Sequence, residues 1–143
     1  MSQENVERLR AAVEALAADT DERDWEATLA GPWVELWDPG IEWDASTHPL
    51  PDLAGVYRGK EPTLQWWRQW LAAWDAVHVE CDLIEAGDRV VGLFRQQMRG
   101  HYTGIDVVSG RYAMVFTFRS GLIVHARFYG RQSEALEAVG LSE

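Results

Sequence analysis

Cysteine is nearly absent. Cys81 is the single cysteine among 143 residues, so no internal disulfide can form, and it sits in an alternating run that gives it the place of a small packed residue. Basic residues are also few. Thirteen Lys and Arg face 23 Asp and Glu, a formal net charge of −10, which repels polyphosphates and anionic headgroups and argues against nucleic-acid and membrane-surface partners. No run approaches the ~18 apolar residues of a membrane span. The opening "MSQENVERLR" lacks a basic-then-apolar leader, so a cytoplasmic protein is expected. The four histidines, His48, His78, His101 and His125, show no HxH or HxxxH spacing, and Cys81 has no CxxC partner, so no metal site is expected. Gly100, Gly104 and Gly110 come without a Walker lysine or a dinucleotide fingerprint, and no cofactor is expected.

What is abundant is tryptophan. Four of the eight lie in "QWWRQWLAAW", residues 65–74. Wound as a helix, Trp66, Trp67, Trp70 and Trp74 fall within an arc of about 100°. Four large aromatics present roughly 600–1,000 Å² of surface, more than the ~300–600 Å² patch a soluble monomer tolerates. The stripe must therefore enter the core, line a pocket or meet a partner. A plain core relies on Leu, Ile and Val, whereas this helix adds only Leu64 and Leu71. Core and ligand-lined cavity both stay open.

Along the chain, Val6, Leu9, Val13 and Leu16 recur at helical spacing after a capping Ser2. "DTDER" reads as a turn, "DWEATLAG" as a second helix and "WVELWDPG" as a short further turn. "IEWDAS" reads as a strand and "THPLPDLAG" as a proline-rich loop. "VYRG" is a short extended piece, and Pro62 suits the first turn of the tryptophan helix. Beyond residue 76 come four segments rich in β-branched and aromatic residues with glycine-containing turns, an antiparallel meander. "RQSEALEAVGL" closes as a short helix or tail. Helices first and strands last predict one α+β domain over residues 1–143, with the helices packed on one face of a strongly curved antiparallel sheet.

Strand parity separates the faces. Phe94, Gln96 and Met98 share one side of their strand, as do Tyr112, Met114, Phe116 and Phe118 of the next, and Ala126 and Phe128 of the last. The opposite side mixes Leu93, Val115, Ile123 and Tyr129 with Arg95, Arg99, Arg111, His125 and Arg127. Such a mixture suits a protein–protein interface, so a homodimer joined through sheet faces is expected, with Glu80 or Asp82 as partners for the arginines.

The pieces "MSQENVERLRAAVEAL", "DPGIEWDAS", "LPDLAGVYRGKE", "AGDRVV", "FTFRSGLIV" and "EALEAVGL" resemble the nuclear transport factor 2-like superfamily, in particular its SnoaL-like branch. Polyketide cyclases belong to that branch, and ketosteroid isomerases and limonene epoxide hydrolase are relatives. The resemblance implies a cystatin-like cone around an apolar pocket, and homodimers are common in it. The tryptophan helix would then be a pocket wall, Trp66 and Trp70 lining it and Trp67 and Trp74 lying mainly in the core. Around "GPWV" the chain looks a few residues longer than the family pattern, which points to an unusual rim. The isomerases' base position falls on Trp43 or its neighbour Asp44, their tyrosine on Leu16 and their oxyanion aspartate on Met114. Without oxyanion donors a dienolate loses several kcal/mol of stabilisation, which disfavours ketosteroid isomerisation.

The residues expected to hold a ligand are Trp43, Trp66, Trp70, Phe94, Gln96, Met98, Tyr112, Met114, Phe116 and Phe128. Asp44 is the candidate base, because a carboxylate at an apolar mouth gains a raised pKa; parity, however, puts Trp43 rather than Asp44 on the side of Ile41. His48, in the proline-rich loop, is a second catalytic candidate, weighed against a solvated histidine. The expected ligand is a small, largely apolar molecule, with cyclic compounds among the candidates. Cofactor-free isomerase, cyclase or hydrolase chemistry is one reading, and a non-catalytic binding or assembly module is the other.

Overall fold

A computed structural model describes residues 2–16, 31–48, 52–72, 74–100 and 108–141. The sequence readings for "DTDER" and "DWEATLAG" and for His101 lie outside the described residues. Helix α1 (Ser2–Leu16) buries Val6, Leu9, Ala12 and Val13, one face at three- and four-residue spacing. A single turn, α2 (Pro32–Glu35), opens on a proline whose missing N–H costs nothing there. Strand β1 (Trp37–Asp44) leads to the short β2 (Val56–Arg58) and the tryptophan helix α3 (Lys60–Ala72). The meander follows as β3 (Trp74–Ala86), β4 (Arg89–Gly100), β5 (Val108–Arg119) and β6 (Leu122–Tyr129), and α4 (Gln132–Ala138) ends the fold. Among the described residues, no helix is long and apolar enough to cross a membrane.

The six strands form one sheet in the order β2-β1-β6-β5-β4-β3. Every neighbouring pair is antiparallel except β1 and β6, which run parallel. The α+β architecture and the four-strand meander agree with the sequence reading. Two boundaries differ. The stretch "WDPG" is extended rather than a turn, with Trp37 already opposite Ile123. The irregularity expected of Pro and Gly appears as a register shift between Trp37 and Glu42, where the Asp38 carboxylate accepts the Gly40 N–H at 2.8 Å. The tryptophan helix also stops at Ala72, and Trp74 opens β3 opposite Gly100. A tryptophan at that place satisfies the helical period and the strand equally well, so periodicity alone does not separate the two.

Parity holds along β4 and β5 but breaks in β6: the β5–β6 register shifts between Thr117 and Phe118, and Ile123, expected on the outer side, is fully buried in the inner core. The inner side carries Val90, Phe94, Met114, Phe116, Phe118 and Ala126 into one core with Trp33, Trp37, Ile41, Trp43, Trp66 and Trp67. On the outer side, Val91, Ala113 and Val115 are covered by Ala135 and Leu136 of α4. The Gln132 side-chain amide donates to the carbonyls of Phe94 and Tyr112, at 3.2 and 3.3 Å, and pins that helix down. Outer charges pair within the chain. Arg95 meets Glu80 at 3.4 Å and Asp82 at 3.2 Å, and Glu42 meets both Arg58 at 3.2 Å and His125 at 3.3 Å. Part of that mixed face is thus accounted for inside one chain: Val115, Leu93 and Tyr129 belong to the cluster under α4, and Arg95 and Arg127 meet acidic residues of neighbouring strands.

Candidate functional site

The loop after β1 is closed by Ala45 and Gly55, whose backbones exchange hydrogen bonds of 2.8 and 3.2 Å. Three further contacts fold it inward. The Thr47 hydroxyl donates to the Phe128 carbonyl at 2.9 Å, tying the loop to β6. The Trp66 indole and the Tyr57 hydroxyl both donate to the Leu53 carbonyl, at 2.9 and 3.0 Å, tying it to α3 and β2. Between these anchors lies His48, only 9% exposed. Its ring is 4.9 Å from Phe128, 5.6 Å from Trp70 and 5.7 Å from Trp66. The solvated histidine weighed for this loop is not what the structure places there. Removal from water lowers the imidazole pKa, so His48 is neutral at pH 7, with one nitrogen a donor and the other an acceptor.

The aromatic wall continues along the inner face of the sheet. Phe128 stacks on Tyr112 at 5.3 Å, and Tyr112 on Phe94 at 4.9 Å. Burial pushes the Tyr112 phenol up and keeps it protonated. Met114 and Phe116 are buried beside them. Trp66 and Trp67 are buried and Trp70 is half-buried, with Trp66 and Trp70 stacked at 6.2 Å. Gln96 is half-buried and shares the inner side, but its register partner is Gly110 and no hydrogen bond joins it to Tyr112. The side chains of Trp74, His78 and Met98 lie outside the described residues.

Asp44 stands apart from this wall. It pairs in register with Val56 and Arg127, on the outer side, while Trp43 points inward and is 1% exposed. Partial burial alone would raise its pKa. The Ser46 hydroxyl at 2.6 Å, the Ser46 N–H at 3.0 Å and the charges of Arg127 and His125 outweigh that and hold it below the usual value. The raised carboxylate expected at a pocket mouth is therefore corrected: this one is held ionised. Arg127, 3.9 Å from Asp44, also lies over the Tyr129 ring at 5.0 Å.

Sequence reasoning missed Trp33 and Trp37, hidden in a stretch punctuated by Gly and Pro. With Trp43 and Trp67 they close a ring of contacts: 6.1 Å from Trp33 to Trp37, 6.2 Å from Trp37 to Trp43, 5.6 Å from Trp43 to Trp67 and 5.8 Å back to Trp33. All four indole N–H groups are buried with no hydrogen-bond acceptor among the described residues. A buried unsatisfied donor costs about 1–3 kcal/mol. Outside this cluster, Cys81 lines a shallow groove of about 140 Å³ with Arg10, Val13, Glu14, Val79 and Leu83. Burial pushes its thiol up to about 12, which removes the thiolate a reactive cysteine needs.

Helices α1, α2 and α3 laid on the aromatic side of a curved six-stranded sheet define a cone of the NTF2-like kind. Solved structures share it. An NTF2-like protein of unknown function from Burkholderia pseudomallei superposes with a TM-score of 0.71 at 17% identity, covering 96% of this chain and 98% of that one. A protein provisionally called a SnoaL-like polyketide cyclase, from Jannaschia sp., gives 0.67 at 19% identity over 99% and 95%. TerC, crystallised with polyporic acid, gives 0.66 at 19% identity over 95% and 98%. The chain belongs to the SnoaL-like domain family, whose model matches residues 6–126. No curated protein matches it.

Proposed function

We propose that the chain binds a small, largely apolar, ring-bearing molecule inside the cone. The observation that carries this reading is the neutral His48 imidazole set among Trp66, Trp70 and Phe128. Stacking rings supply apolar area, and a few placed polar groups supply orientation, the usual make-up of a small-molecule site. Two groups in the cluster keep their protons bookkept for acid–base work. A neutral imidazole is the form that accepts a proton, and the Tyr112 hydroxyl remains a donor. Cofactor-free isomerisation, cyclisation or hydrolysis is the chemistry these two residues support, with His48 rather than Asp44 as base. A neighbour provisionally called a polyketide cyclase and another crystallised with polyporic acid fit a ring-bearing ligand.

A binding module without turnover is the second reading. Its supporting observation is that the outer-facing Asp44 is already held by Ser46 and Arg127, which leaves the interior without a carboxylate at that place. Calorimetric titration with polyporic acid tests the ligand site. Binding weakened about tenfold or more in Trp70→Ala and His48→Ala is expected; wild-type affinity in both variants contradicts the proposed site. For any substrate found to turn over, His48→Gln should lower kcat by about 10²–10⁴-fold, the range for loss of a general base. Binding without turnover selects the module.

A further inference from the structure

The tryptophan ring carries chemistry that the site around His48 does not use. Trp33, Trp37, Trp43 and Trp67 come from α2, β1 and α3 and touch in a closed circuit. Each buries an indole N–H without an acceptor among the described residues. An indole N–H is a donor and nothing else, so the ring offers four donors and no acceptor. Edge-on neighbours, at 78° for two of the contacts, supply at most weak N–H···π contacts. Water matches the ring less well: it could accept from two indoles, but the ring itself offers no acceptor for its two hydrogens. A carbonyl-type oxygen has two lone pairs and no hydrogen, and it matches. Trp66 connects the ring to the candidate site: it lies 5.3 Å from both Trp43 and Trp67 and 5.7 Å from His48, and its own N–H is taken by Leu53.

We infer that this ring is the hydrogen-bond-donating end of the ligand site and selects ring compounds bearing carbonyl-type oxygens over hydrocarbons, alcohols and amines. The inference rests on the reading that the cone holds a small molecule, and adds the polar group that molecule must carry. A ketone and its parent hydrocarbon differ only in the acceptor, so their affinities should differ by about tenfold or more, the worth of one to two good hydrogen bonds.

Calorimetry of the wild-type protein with 1-indanone, 1-indanol and indane tests it, together with ¹⁵N–¹H spectra of the indole groups. The ketone should bind at least about tenfold more tightly than indane, and it should shift at least two of the ring's indole N–H signals downfield. Trp43→Phe and Trp67→Phe keep an aromatic ring and remove a donor, and each should cut the ketone preference to about threefold or less. If a variant does not fold, the wild-type spectra decide on their own. Ketone and hydrocarbon bound equally, with unmoved indole signals, overturn the donor ring and leave the ligand site standing. Failure of all three compounds to bind overturns both.

Discussion

His48 and Asp44 are four residues apart and end on opposite sides of one sheet. The inner side surrounds His48 with rings and strips its charge. The outer side surrounds Asp44 with hydrogen-bond donors and cations and fixes its charge. The same contrast runs through the whole sheet: phenyl, indole and thioether groups inside, ion pairs and the short cover of α4 outside. Alternation along the strands produces most of it, and the register shifts in β1 and β6 bring Trp37 and Ile123 to the inner side as well. Polar groups on the outer side hold one another in place and have water beside them. On the inner side, the indole N–H groups of Trp33, Trp37, Trp43 and Trp67 have no acceptor among the described residues.

The contrast should be largest in stability. Trp43→Ala opens a cavity among Trp37, Trp66 and Trp67, and a loss of about 3–5 kcal/mol is expected in urea unfolding. Gly92→Ala comes next, because a new Cβ would lie 2.6 Å from Phe94. About 1–3 kcal/mol should be lost to overpacking, with a disturbed Phe94–Tyr112 stack in near-ultraviolet circular dichroism. At Gly110 a Cβ meets nothing within 4 Å, so the same substitution there should be tolerated. Smallest is the outer side: Arg58→Ala breaks an exposed pair with Glu42 and should cost about 0–1 kcal/mol.

Acid separates the two regions by window rather than by size. His48 has its folded pKa below the unfolded value. Below about pH 6.5 the unfolded chain therefore binds the extra proton first, and stability falls as the pH drops through that range. His48→Phe should flatten this part of the profile. The folded pKa of Asp44 is also lowered, so its contribution is present above the unfolded carboxylate value, about 3.9, and is lost only below it. Asp44→Ala should leave the profile near pH 6 unchanged and alter it below pH 4. A profile near pH 6 that follows Asp44 instead would break the comparison.

Much of this was legible in the sequence, and for identifiable reasons. Alternation in residues 111–118 assigns Tyr112, Met114 and Phe116 to one side, because strand geometry is local. The same rule put Asp44 opposite Trp43. The stripe in residues 65–74 gave α3 its buried face, though Trp74 passed to the strand. His48 was legible as a candidate, but its burial among rings was not, since its surroundings come from far along the chain: Thr47 is anchored to Phe128, 81 residues on. Trp33 and Trp37 were not legible as a ring, because Gly31, Pro32, Pro39 and Gly40 break the periodicity around them. The outer mixture was visible, but its cover was not. Nothing local says that Ala135 and Leu136 fold back over Val91 and Val115.

The central claim is that the inner side holds a neutral histidine against a bound ring compound. Titrating the His48 imidazole by NMR, with and without polyporic acid, tests this most directly. The account expects a pKa below the ordinary 6.5 in the free protein and a His48 signal displaced by the compound at constant pH. A His48 that titrates at 6.5 or above, with a signal unmoved by saturating compound, would contradict it.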